Sequence, residues 1–366
     1  MRRGTTVAAL FAAAAIVVGC SSGASGPEGP AAAASPVKLS GDACAPPRQE
    51  GVTLTLAAQG GEYQEAIKRA WEDPYTALTG VEFVNDENSS NATVRAQVES
   101  GQVTWDVVDT GSDFGLDAHK ALLEPLDYGL IPRDEMNPDL RPTDYRVPVM
   151  TYGTVLAVNT DETGGRMPAG WADFFDTSAF PGKRGVWDYP AGGIFEMALM
   201  ADGVTPAELY PLDLERATAK LDAIKDDVVF WDSGAESREL IGSGEVAMSM
   251  MWNGRTWNAI HQDNRPVEIQ WNQQILSADH FVVPKGSPNR EAAMRFIAWV
   301  VCAENNPALS KYIPYGPTNV NSEPDPAMAQ DLPVNHVDAN TAYFDDAYLV
   351  DNLDEIDAAW QEWKSR

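Results

Sequence analysis

Strands and helices alternate along the first third of the folded chain, and this alternation constrains the architecture more than any other feature. Val52–Ala57 reads as a strand, and Gly60-Gly61 opens a helix whose Tyr63, Ile67, Ala70 and Trp71 share one face. A second strand around Val81–Val84, a helix around Asn91–Glu99, a third strand at Trp105–Asp109 and a helix from Asp113 repeat the unit. Strands separated by helices imply a largely parallel sheet. Ligands of such sheets sit where strands end and helices begin, which directs attention to Gln59-Gly60-Gly61 and to Thr110-Gly111-Ser112-Asp113. Helix amino termini there would offer free backbone N–H groups. Later apolar series at Leu214, Ala217, Leu221 and Ile224, at Ala293, Phe296, Ile297 and Val300, and at Leu349, Leu353, Ile356, Trp360 and Trp363 have helical spacing and read as core faces.

At the amino terminus, Arg2 and Arg3 precede an apolar run from Val7 to Val18 that ends at Gly19-Cys20. The run is shorter than the ~20 residues a membrane span needs and reads as an export signal, residues 1–19, ending at a lipidatable Cys20. Residues 20–48 are rich in Gly, Ala, Ser and Pro and read as a flexible tether to the outer face of the membrane. The remainder is long enough for two domains of about 150 residues. With Cys20 carrying lipid, Cys44 and Cys302 remain, either as one disulfide or as two thiols.

The formal net charge of -28 makes nucleic acid and anionic lipid poor partners. It fits either a cationic ligand or simple solubility. His119, His261, His280 and His336 are scattered without metal-ligand spacing, and the chain has neither a Gly-x-Ser-x-Gly elbow nor a Walker loop. The expectation is a binding protein without cofactor or metal, not an enzyme.

Seven segments carry a resemblance. Trp105-Asp106-Val107-Val108-Asp109, Leu122-Leu123-Glu124-Pro125-Leu126-Asp127, Gly170-Trp171-Ala172-Asp173-Phe174-Phe175, Ser243-Gly244-Glu245-Val246-Ala247-Met248, Trp252-Asn253-Gly254-Arg255, Pro284-Lys285-Gly286-Ser287-Pro288-Asn289 and Tyr315-Gly316-Pro317-Thr318-Asn319 occur in this order. Together they resemble the spermidine/putrescine-type solute-binding proteins of ABC importers. The resemblance implies a type II periplasmic-binding-protein fold: two α/β lobes with parallel-rich sheets joined by a hinge. Lobe 1 would hold 49–152 and 280–335, and lobe 2 would hold 153–279 and 336–366, with crossovers near Val149–Val158 and Gln274–Val283. It further implies a monomer that hands its solute to a membrane permease driven by a cytosolic ATPase.

By the same resemblance, Asp279 would meet a ligand amine and Trp252 would stack on it, since a buried ammonium needs a carboxylate and gains ~1–2 kcal/mol from an aromatic face. Ser112, Tyr63, Tyr189 and Tyr315 are further expected contacts. The segment Tyr189-Pro190-Ala191-Gly192-Gly193-Ile194-Phe195-Glu196 departs from the polyamine pattern by lacking two acids. Arg255 adds a guanidinium that would repel a diamine and pair with a carboxylate. Two ligands are therefore expected: a polyamine of the putrescine/spermidine class, or a small ω-amino acid such as γ-aminobutyrate. A metal ion is a remote third, because the adjacent tyrosines of iron(III) binders are missing.

Overall fold

The computed structural model describes Leu39 and residues 41–366. Cys20, the segment 1–19 and most of the tether lie outside the described residues. Among the described residues the strands are β1 (Thr53–Ala57), β2 (Glu82–Asp86), β3 (Val107–Thr110), β4 (Val147–Asn159), β5 (Arg184–Trp187), β6 (Val228–Trp231), β7 (Met248–Trp252), β8 (Val267–Val282) and β9 (Ala342–Tyr343). They hydrogen-bond in the order β2-β1-β3-β8-β4-β7-β5-β6, with β9 on β8.

The pairing is mixed: parallel at the two ends and between β8 and the short β9, antiparallel in the centre. β1 runs parallel to β2 and β3, and β5 runs parallel to β6 and β7. Between them β8 and β4 pair antiparallel with each other, with β3 and with β7. These two long strands therefore belong to both halves of the molecule, which is how a two-lobe fold is connected without a separate linker.

Each half has its own core. Leu54, Leu56, Trp71, Phe281, Phe296 and Ile297 pack together on one face of the first half, while Val94, Trp105, Val108 and Val282 cover the other. Burial on both faces explains why β1 and β3 carry so few exposed side chains. Trp171, Phe174, Phe195, Trp231, Trp360 and Trp363 anchor the second half. A fully buried tryptophan removes about 200 Å² from water, on the order of 5 kcal/mol before chain entropy is counted. The final helix Leu353–Ser365 is fixed by two indoles, Trp360 donating to Asp188 Oδ1 at 2.8 Å and Trp363 to Asp222 Oδ1 at 3.0 Å. Cys302, just beyond the helix Arg290–Val300, is bonded to Cys44 with the Cα atoms 5.7 Å apart.

One expected helix does not form. After Asp113 the chain makes turns and only a short 3-10 turn at Asp117–His119. Gly115 adopts φ +83°, and a side chain there would come within 2.6 Å of Arg146 Cβ. The buried Arg146 guanidinium takes up the carbonyls of Ser112 and Phe114 at 2.7 and 2.9 Å, oxygens that a helix would have used.

Candidate functional site

A cavity of about 430 Å³ lies where the two halves meet over β4 and β8. Tyr63, Trp252, Arg255, Asp279, Tyr189 and Tyr315 all line it, so six of the seven expected contacts converge on one space. Ser112 does not. Its hydroxyl is 2.7 Å from that of Ser277, and it faces a separate void of about 20 Å³ behind the crossing strands. Its neighbours Gly111 and Asp113 line the main cavity instead.

The turn after β1 is shaped for this site. Gly60 holds φ 66°, ψ -175°, a conformation essentially restricted to glycine. Its carbonyl accepts from Arg255 Nη2 at 3.0 Å, and Arg255 Nη1 reaches Glu62 Oε2 at 2.8 Å. A guanidinium has five N–H donors. Arg255 is 2 % exposed, and its Nε has no partner although it is buried. It lies on the helix Asn253–His261, directly after Trp252 closes β7.

Aromatic rings form the walls. Trp252 meets Trp187 edge to face at 5.0 Å and Trp231 at 5.5 Å, while Tyr315 contacts Tyr63 at 5.6 Å and Tyr152 at 6.2 Å. Trp187 and Tyr152, which also line the cavity, were not among the expected contacts. Leu353, expected as a core residue, lines it as well.

Acids missing from the Tyr189 segment are supplied by another one. Asp109, the penultimate residue of β3, and Asp113 both line the cavity with Asp279. Asp113 accepts from Asn91 Nδ2 at 3.1 Å and from the Tyr189 hydroxyl. Asp109 Oδ1 accepts from the Tyr63 hydroxyl at 3.3 Å. Burial first, and then the charge of Asp279, hold the Asp109 carboxyl well above the usual carboxylate range, and burial pushes Asp279 up to about 7. The Tyr63 and Tyr152 phenols are raised by burial and by the neighbouring acids, so they act as neutral donors. The signal for Asp109 lay in its place at the carboxyl end of a parallel strand, where α/β sheets bind ligands.

Two lobes around an aromatic cavity, with carboxyls and one guanidinium facing it, define a receptor for a small polar solute. The chain belongs to the bacterial extracellular solute-binding proteins, whose family model matches residues 70–334. It is 31 % identical over 331 residues to a gamma-aminobutyric acid-binding protein of Pseudomonas aeruginosa, covering 86 % of this chain and 91 % of that one. A solved GABA receptor is 40 % identical with a TM-score of 0.78, covering 85 % of this chain and 97 % of its own. A spermidine/putrescine substrate-binding protein of Streptococcus pneumoniae, at 16 % identity and a TM-score of 0.66 over 86 % of this chain and 100 % of its own, shares the fold alone. The fold-level part of the sequence resemblance therefore stands, and its polyamine part is weakened. This is the exported binding component of an ABC importer, which delivers a small solute to the permease, and it is not an enzyme. No helix among the described residues is long and apolar enough to cross a membrane.

Proposed function

We propose that this receptor captures a small ω-amino acid of the γ-aminobutyrate class, with the ammonium on Asp279 beneath Trp252 and the carboxylate on Arg255. The observation that carries the reading is that one cavity is lined by the buried Arg255 and by the carboxyl residues Asp109, Asp113 and Asp279. Tyr315 lies within electrostatic reach of Arg255, Asp279 and Asp109, so both charge types act across a single ring. A zwitterion neutralises both in one step, whereas a diamine leaves the guanidinium facing a cation. The two GABA-binding relatives give independent support.

Tyr63, Tyr189 and Tyr315 complete the ligand contacts in this reading. Residues 49–152 with 280–335 and residues 153–279 with 336–366 act as the two lobes, closing on the solute about β4 and β8. The chain works as a monomer held at the outer face of the membrane by lipid on Cys20. Three carboxyls around the cavity favour a diamine as the second reading. Calorimetric titration with γ-aminobutyrate, putrescine and spermidine decides between them. Tight binding of γ-aminobutyrate alone is expected, and preferential binding of putrescine or spermidine would sink the first reading in favour of the second.

A further inference from the structure

We propose that Asp109 is a second carboxyl of the ammonium subsite, and that it shares one proton with Asp279 until a ligand cation takes the proton's place. This rests on the reading of an amine-bearing ligand at Asp279. The sheet itself sets the pair. In the antiparallel register of β3 and β8, Asp109 lies opposite Phe281, so Asp279, two residues along, is its diagonal neighbour on the same face. That face is the one covered by the helix carrying Tyr63.

Asp109 is 1 % exposed, and its Oδ1 accepts from the Tyr63 hydroxyl. Its Oδ2 is buried and receives no N–H or O–H from another residue, and the Asp109 and Asp279 carboxyls are within hydrogen-bonding contact of each other. A carboxylate oxygen without a partner is costly in a closed interior. Between two carboxyls in contact such an oxygen is satisfied by a shared proton, and at a cavity that both residues line an entering cation can take that place. A primary ammonium has three donors and can bridge two carboxyls, which a single Asp279 would not require.

Two carboxyls this close cannot both ionise without a cation, and one proton is retained between them. The surrounding elements offer no substitute charge. Tyr63, Tyr152 and Tyr315 facing the pair are neutral phenols, Asp113 adds a further negative charge, and Arg255 is engaged with Glu62 and Gly60. Burial and mutual charge hold the pair protonated near neutrality. When the ammonium enters, both carboxyls ionise around it. The O–H bond of the shared proton breaks, the proton leaves to solvent, and the ligand keeps all of its own.

The test is calorimetry on the purified full chain with γ-aminobutyrate at about pH 7 in two buffers of different protonation enthalpy, repeated from about pH 8 to about pH 6. The wild-type chain is expected to release close to one proton per ligand, with affinity falling by up to about tenfold per pH unit on acidification. Asp109→Asn should bind at least about tenfold more weakly, with proton release and pH dependence largely removed. Binding of γ-aminobutyrate without proton release by the wild type overturns the proposal while leaving the ligand assignment intact. Failure of γ-aminobutyrate with binding of putrescine removes that assignment, and the proton count with putrescine then decides this proposal in the same way. Failure of both amines overturns both. The wild-type proton count decides the matter even if the Asn variant does not fold.

Discussion

Arg255 Nη1 lies 2.8 Å from Glu62 Oε2, an ion pair that joins the helix Asn253–His261 to the helix Gly61–Ile67. Glu62 also accepts from Arg238, whose other nitrogens hold Asp263. The guanidinium that would take the ligand carboxylate is thus held by Glu62 and Gly60 from the other half of the sheet.

Replacing Arg255 with Gln should weaken γ-aminobutyrate binding by about 100-fold, since losing one partner of a buried charge pair costs about 2–5 kcal/mol. Putrescine binding should be unchanged or improved. Parallel titrations measure both, and an equal loss for the two ligands would show that Arg255 acts through the fold rather than on a carboxylate.

Gly60→Ala puts a Cβ 2.9 Å from Glu87 Cβ at a backbone conformation that only glycine adopts readily. The expected cost is about 1–3 kcal/mol in denaturant unfolding. Ligand affinity should fall too, because the Gly60 carbonyl holds Arg255 Nη2. A variant with unchanged stability would contradict the strain assigned to this turn.

Asp109 and Asp279 destabilise the fold before ligand arrives. Both titrate higher folded than unfolded, so the native state binds more protons, and stability falls as pH rises from about 4 through the folded value of about 7 for Asp279. Asp109→Asn should therefore be more stable than wild type at about pH 8, and the gap should close near pH 4. Denaturant midpoints at the two pH values check this. A variant less stable at both would mean that Asp109 is a structural acid.

Removing the disulfide with Cys44→Ala and Cys302→Ala should cost about 2–4 kcal/mol, because the bond closes a loop with a sequence separation of 258. Affinity should hold, since neither cysteine lines the cavity. Thermal melts with and without ligand separate the two effects.

The parts of this molecule legible in the sequence are those with local causes. The glycine turn at Gly60-Gly61, the strands β1 and β3, and the helix Arg290–Val300 follow from periodicity and turn chemistry. Trp252 and Asp279 follow from the family resemblance and Arg255 from a departure from it, and the cavity gathers all three. The turn holding Asp113 is marked by its place after a strand, but Asp109 and Asp113 are not picked out as contacts, because an acid at a strand end looks the same whether it caps a helix or faces a ligand. The start of β8 is not read, although residues 267–272 alternate apolar and polar as a half-buried strand does; its partner β4 lies more than a hundred residues away in sequence. The missing helix after Asp113 depends on Arg146, another contact distant in sequence.

The central claim is that one ligand is held by both of its charged ends. Calorimetry comparing γ-aminobutyrate with butyrate, which lacks the amine, and propylamine, which lacks the carboxylate, addresses it directly. The account predicts that each truncated analogue binds at least about 100-fold more weakly than γ-aminobutyrate. Propylamine or butyrate binding as tightly as the full amino acid would contradict it.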